Sequence, residues 1–192
     1  MQRALAMSQH ALGEGHPDLA RFLNSLGLNQ VRQKRYAQAL EYYQRAESIL
    51  EKALGAEHPR LALSLALMGE AYLGLGEPGK AMAVLRRALP LAEKERRALD
   101  WVLVGTGETL LAQKKPTEAV VVFERALAES HQTAPGLARM RFDLARTLDQ
   151  LGKDLPRAIE LARLAQQGCR ESPKGCEVDP VAIDGWIASH AR

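Results

Sequence analysis

The chain has 192 residues, of which 46% are apolar, 26% charged and only 5% aromatic, with 26 basic residues against 23 acidic ones and a net charge of +3. That length can bury a substantial core as one domain or two, and the composition is ordinary for a globular protein rich in helix-favouring Ala and Leu. The basic residues are scattered among acidic ones without a run, no stretch approaches 18 consecutive apolar residues, and the first residues lack the order of a secretory leader; neither nucleic acid nor membrane is therefore expected as a partner.

Apolar residues recur at spacings of three and four along most of the chain, and no alternating strand pattern of any length interrupts them. A partial helix is predicted over 2–12. Paired helices follow over 18–33 and 36–53, 59–75 and 78–94, 97–113 and 116–131, and 135–151 and 156–167, with a closing helix over 180–190. Pro17, Pro59, Pro78, Pro116, Pro135, Pro156 and Pro180 each stand where an apolar helical pattern begins, in the first turn, where a missing N–H removes no bond. Pro90 falls inside a pattern instead and predicts a kink or an early helix end. Pro173 belongs to the stretch between Cys169 and Cys176. Those two cysteines read first as free thiols in a reducing cytosol, with a loop disulfide as the alternative. A metal site would need more ligands nearby than His190, so no metal or cofactor is expected.

A ten-residue phrase returns after 42 residues: Ala11 to Ala20 comes back as Ala53 to Ala62, with seven of the ten positions identical. A fixed period in this range marks a solenoid, whose units bury their apolar faces only against their neighbours. The hairpins share a deeper register. A small residue in the first helix is followed about twelve positions later by Ala in the second, and by another Ala seven further on. The sets are Gly27, Ala39 and Ala46; Gly69, Ala81 and Ala88; Gly107, Ala119 and Ala126; and Ala145, Ala158 and Ala165. Two helices approach closely only where side chains are small. Larger residues fill the spaces between: Leu23, Leu26 and Tyr43; Leu65, Tyr72 and Leu85; Leu103, Leu110 and Phe123.

This register resembles the tetratricopeptide repeat, whose first helix carries a large residue, Leu, Gly or Ala and an aromatic, and whose second carries Ala, Phe and Ala. The first two repeats, with their Leu-Gly-x-x-His-Pro extension, are similar to the 42-residue variety of kinesin light chains and many bacterial proteins. Gln30 stands in place of the first-helix aromatic, and Arg141 in place of the leading large residue of the fourth repeat. The resemblance implies an all-α, right-handed α-solenoid of antiparallel helix hairpins as a single domain. Its parts are the second half of a preceding repeat at 1–15, repeats at 16–56, 57–95, 96–132 and 133–168, and a loop with a capping helix at 169–192. The half-repeat would leave Leu5 and Met7 without a partner, which offers a surface for self-association or implies a longer array. Val181, Ile183, Trp186 and Ile187 form one apolar stripe suited to a cap. Such an ending resembles the C-terminal repeats of bacterial serine/threonine kinases and related signalling proteins.

Candidate chemistry is sparse. Gly74-Leu75-Gly76-Glu77-Pro78-Gly79 spells a dinucleotide fingerprint, but a helix precedes it and Pro78 falls within it, so it reads as a helix–turn–helix junction. His16 and His58 each stand before a helix-starting proline and read as polar closure of that start, and no Ser or Cys lies in a nucleophile context. No enzymatic activity is expected.

The resemblance instead implies a binding trough along the concave face, lined by the first helix of each pair. Carried over, that geometry selects Arg21, Asn24 and Leu28; Leu63, Ala66 and Glu70; Trp101, Val104 and Glu108; and Arg139, Phe142 and Arg146. Apolar anchors mixed with Arg and Glu suit a protein or peptide ligand; the alternative is that Trp101 and Phe142 pack against neighbouring helices. The Lys/Asn constellation of a carboxylate clamp is missing. The expected function is a non-catalytic, cytoplasmic interaction module within a bacterial signalling protein. The alternatives are a peptide-responsive regulatory sensor controlling a linked kinase or DNA-binding domain, and a homo-oligomeric spacer.

Overall fold

The computed structural model describes residues 13–96, 98–130, 137–171, 173, 176 and 178–190. Among them the chain forms nine α-helices and no strand: α1 (Leu19–Arg32), α2 (Tyr36–Leu54), α3 (Leu61–Gly74), α4 (Pro78–Glu95), α5 (Leu99–Ala112), α6 (Pro116–Glu129), α7 (Ala138–Gln150), α8 (Leu155–Glu171) and α9 (Pro180–His190). The predicted spans hold to within four residues at either end. The expected helix over 2–12, with Leu5 and Met7, and the helix start at Pro135 lie outside the described residues. The chain divides after Ala112 into two compact units, residues 1–112 and 113–192.

In the first unit α1 pairs with α2 and α3 with α4, while α3 also packs on α2 and α5 on both α3 and α4. In the second, α7 pairs with α8, α6 packs on α7, and α9 packs on α8. Small residues set these approaches. All nine alanines of the register, from Ala39 to Ala165, are fully buried. A Cβ added to Gly27 would stand 2.2 Å from Cε1 of Tyr43, whose ring is itself fully enclosed. Leu85 of α4 sits in a slot between two glycines, where added Cβ atoms would come within 2.9 Å at Gly69 and 3.2 Å at Gly105. Burying such a leucine contributes about 2 kcal/mol. The register anticipated Gly69 but passed over Gly105, naming Gly107, which is also buried.

The hairpin turns repeat as well. Lys34, Gly76 and Gly152 adopt positive φ of 59°, 74° and 62°. Each N–H reaches back to a carbonyl of the last helical turn, as from Lys34 to Val31 at 2.8 Å and from Gly76 to Leu73 at 2.9 Å. The following residue reaches one residue deeper, as from Arg35 to Gln30 and Glu77 to Tyr72, both at 2.9 Å, which satisfies the orphan carbonyls of a helix end. The glycine-rich stretch 74–79 is this turn: Gly74 closes α3 and Pro78 opens α4.

Four expectations need correction. Pro90 does not end its helix, because α4 runs on to Glu95. Pro90 and Arg86, whose carbonyl loses its intrahelical donor, are both exposed, while Ala88, Leu91 and Ala92 beyond and around them are buried and hold the last turn. Pro17 and Pro59 stand two residues ahead of their helices, in turns closed by Ala20 N–H to Pro17 O at 3.2 Å and Ala62 N–H to Pro59 O at 3.0 Å. Cys169 is not in a loop: α8 continues to Glu171, buries Cys169 and joins it to Cys176 in a disulfide, so the free-thiol reading falls. In α9, Ile183 is buried and Trp186 and Ile187 half-buried, but Val181 is 75% exposed and leaves the apolar stripe.

Gly27→Ala should lower the unfolding free energy by about 2 kcal/mol despite the better helix propensity of Ala, because the enclosed Tyr43 ring cannot give way. In a Tyr43→Leu background most of that loss should vanish, as read by urea unfolding of the two single variants and the double one. Lys34, exposed and left-handed, should gain about 0.5–1 kcal/mol on replacement by Gly in the same assay, whereas Lys34→Ala should gain nothing.

Candidate interaction surface

The first helix of each hairpin carries the predicted trough positions, and the structure sorts them into two columns. Asn24, Ala66, Val104 and Phe142 are buried. Arg21 and Arg146 are exposed, and Leu28, Leu63, Glu70, Trp101, Glu108 and Arg139 are half-buried. Residues three and seven apart share one stripe of a helix, but the middle member turns inward in each case. Asn24 shows why. Its Nδ2 donates to Ser64 Oγ at 3.0 Å, and Ser64 Oγ donates back to Asn24 Oδ1 at 3.2 Å, so the pair bridges α1 and α3 inside the first unit. Asn24 is therefore a buried tie with its amide at the floor of the surface.

Above that floor lies a cleft of about 220 Å³. Arg21, Asn24, Leu28 and Leu63, four of the predicted positions, line it together with Leu50 of α2, Leu67 of α3 and Arg60. Its walls are leucine and its rim carries two guanidinium groups. Arg21 lies 5.5 Å over the ring of Phe22. Arg60 is anchored, with Nη2 donating to Asp18 Oδ1 at 2.8 Å and to Pro17 O at 3.2 Å. The hydrogen bond from Arg60 holds the Asp18 carboxyl below the usual carboxylate range. Arg60 was not singled out by sequence, yet a signal was present: it occupies, 42 residues on, the same place in the repeated phrase as Asp18.

The histidines of the phrase close helix starts. His16 Nδ1 accepts the N–H of Asp18 and His58 Nδ1 that of Arg60, both at 3.2 Å. Tyr43 lies in the core rather than the cleft. Burial, and to a lesser extent the charge of Glu70, pushes its hydroxyl well above the ordinary range, so it stays neutral. Among the described residues there is no group of three or more His, Cys, Asp or Glu side chains that could hold a metal ion, and no helix is long and apolar enough to cross a membrane.

The second unit differs. Phe142 on α7 is buried edge-on against Trp186 of α9, with ring centroids 6.3 Å apart at 89°. Trp186 stacks on His190 at 4.2 Å, and His190 Nε2 lies 3.1 Å from Asp149 Oδ2 at the far end of α7. Arg146 lies 5.9 Å over the Phe142 ring, and Arg139 is 4.0 Å from Asp143 one turn on. For Phe142 the alternative reading holds: it packs against a neighbouring helix, the chain's last. The cap expected of Trp186 over the last repeat is met at Phe142, whereas Asp149 carried no signal in the sequence.

Two tetratricopeptide repeat models match, one over residues 1–52 and 23–94 and the other over 104–175. The chain belongs to the tetratricopeptide repeat family. No curated protein matches it. Solved structures do. Kinesin light chain TPR-like repeats from Podosopora anserina superpose with a TM-score of 0.69 at 20% identity, covering 91% of this chain and 86% of that one. BtubC (BKLC) from P. vanneervenii gives 0.66 at 21% identity over 86% and 68%. Aspartyl phosphate phosphatase F from Bacillus subtilis gives 0.68 at 20% identity over 82% of this chain but only 42% of its own length. At these identities the likeness is one of fold: an all-α tetratricopeptide repeat. Tetratricopeptide repeats serve in general as protein–protein interaction scaffolds without catalysis of their own.

Within this tetratricopeptide frame the Asp18–Arg60 pair ties the first two repeats at their entry turns. Because the Asp18 carboxyl is held below its usual range, the pair's contribution is whole above that range and is lost as pH falls from there through the lowered value. Asp18→Asn should therefore unfold at a slightly lower temperature than the wild type at about pH 7, by an amount limited by the exposure of the pair, and the two midpoints should meet near pH 2. Thermal unfolding followed by circular dichroism checks this, and a gap that persists at acid pH would exclude the ion pair as its cause.

Proposed function

We propose that the chain is a non-catalytic interaction module that takes a peptide segment or partner domain on its first-helix face, with the cleft of the first unit as its principal anchor. The carrying observation is the meeting of four predicted trough residues in one leucine-walled cleft with Arg21 and Arg60 at its rim. At about 220 Å³ it falls below the roughly 300–1,000 Å³ of pockets that enclose a small molecule or cofactor, and it suits one or two side chains of a larger ligand. Leucines supply buried area, and the arginines supply direction and specificity. Leu63, Glu70, Trp101 and Glu108 continue this face within the first unit, and Arg139 and Arg146 flank the corresponding face in the second. Four repeats at 16–56, 57–95, 96–132 and 133–168, a cytoplasmic setting and a place within a bacterial signalling protein belong to the same reading.

Peptides selected from a displayed random library against the intact chain provide the test. Leu63→Glu and Arg21→Glu should each weaken a selected peptide by about tenfold or more, while Val121→Glu, at an exposed position of α6, should leave its affinity unchanged. Equal affinity in all variants, with circular dichroism showing intact helices, would move the binding surface elsewhere.

A further inference from the structure

Helix α9 is short and lightly held. It has 11 residues, of which only Ile183 is fully buried. Isolated helices shorter than roughly 12–15 residues are marginal in water, so α9 persists through its docking. That docking consists of Trp186 on Phe142, His190 against Asp149, and Gln166 Nε2 donating to Asp184 Oδ1 at 2.5 Å, with Arg170 4.0 Å from the same carboxylate. Apart from Ile183 and the buried Phe142, the groups engaged are half-buried or exposed. One contact is of another kind. Cys169, buried in the last turn of α8, is bonded to Cys176, which stands just ahead of Pro180 at the start of α9. The bond fixes the root of α9 beside the helix it packs on, and so raises the local concentration of its docking groups.

We propose that the Cys169–Cys176 disulfide is a redox latch: oxidised, it keeps α9 seated over α7; reduced, it releases α9 and uncovers Phe142 between Arg139 and Arg146. The inference concerns the second unit and does not depend on the cleft of the first. The reductant is a dithiol. One of its thiolates attacks Cys176 Sγ, the more accessible sulfur, breaking the S–S bond and releasing Cys169 as a thiolate that takes up a proton. The second thiol of the reductant then displaces Cys176 from the mixed disulfide. Two electrons pass to the cystine, the protein ends with two thiols, and the reductant ends as a disulfide. In a reducing compartment such a bond is transient and regulatory rather than permanent, which is the use the light docking of α9 allows.

Hydrogen exchange on the intact chain, with and without dithiothreitol, tests the latch alongside maleimide titration of thiols. The untreated protein should titrate no thiol and the treated protein two. Reduction should accelerate exchange of the 180–190 amides by about tenfold or more while α7 and the first unit keep their protection. A Cys169→Ser/Cys176→Ser variant should show the accelerated rate at 180–190 in both conditions. Unchanged exchange at 180–190 on reduction would overturn the proposal, as would two free thiols in protein purified without reductant. Loss of protection throughout α7 and α8 would also overturn it, by making the bond a structural staple of the whole second unit.

Discussion

Two helices of a hairpin can come no closer than the side chains between them permit, and every other feature of this chain is arranged around that distance. Leu85 packs because Gly69 and Gly105 leave room on either side of it, and Tyr43 packs because Gly27 has no Cβ. The nine register alanines carry the same rule along the chain, each buried and each small enough to let backbone approach backbone. Their small side chains lose little rotamer entropy when buried, so most of the gain from burial is kept. The rule binds only the inward positions. Residues on the outer columns of the first helices are left free to vary, and those are the positions from which a partner would be recognised.

The repeated phrase divides its labour in a similar way. Its identical residues do local work: His16 and His58 each accept through Nδ1 the N–H two residues on, and the His and Pro carbonyls accept the first two N–H groups of the helix that follows. One of the three positions that change, Asp18 in one copy and Arg60 in the other, makes the contact between copies. Identity there would have set like charges against each other. Complementarity between equivalent positions is what lets one turn recognise the next, and the same Arg60 then borders the cleft.

Helix number and type were legible because a period of three to four is imposed by burial of one stripe, and prolines at first turns mark where each stripe begins. The alanine register was legible for the same reason: close approach tolerates little else. What escaped depended on partners distant in sequence. Pro90 is tolerated because Leu91 and Ala92 are buried beyond it while Pro90 and Arg86 lie on the exposed side, and neither fact is local. Cys169 read as a loop residue because the apolar period weakens after Gln167, although its burial carries α8 on to Glu171. Asn24 and Phe142 read as trough residues because helical periodicity cannot distinguish a face turned to solvent from one turned to the next first helix.

That last ambiguity separates the two units. At equivalent places in the register, Asn24 meets Ser64 through a compact polar pair and Phe142 meets Trp186 through a wide aromatic one. In the first unit Leu28 and Leu63 border a cleft beside the compact pair, with Arg21 above them. In the second, the indole of Trp186 spreads over α7 and is steadied by His190 and Asp149, so the apolar member of that face is withdrawn from solvent. The helices on which the two faces stand obey one packing rule, so the difference is one of occupancy by the chain itself. The face of the second unit is covered at Phe142 by a helix whose root is held through Cys176, while in the first unit Leu28 and Leu63 line a cleft that no later helix of that unit is shown to fill.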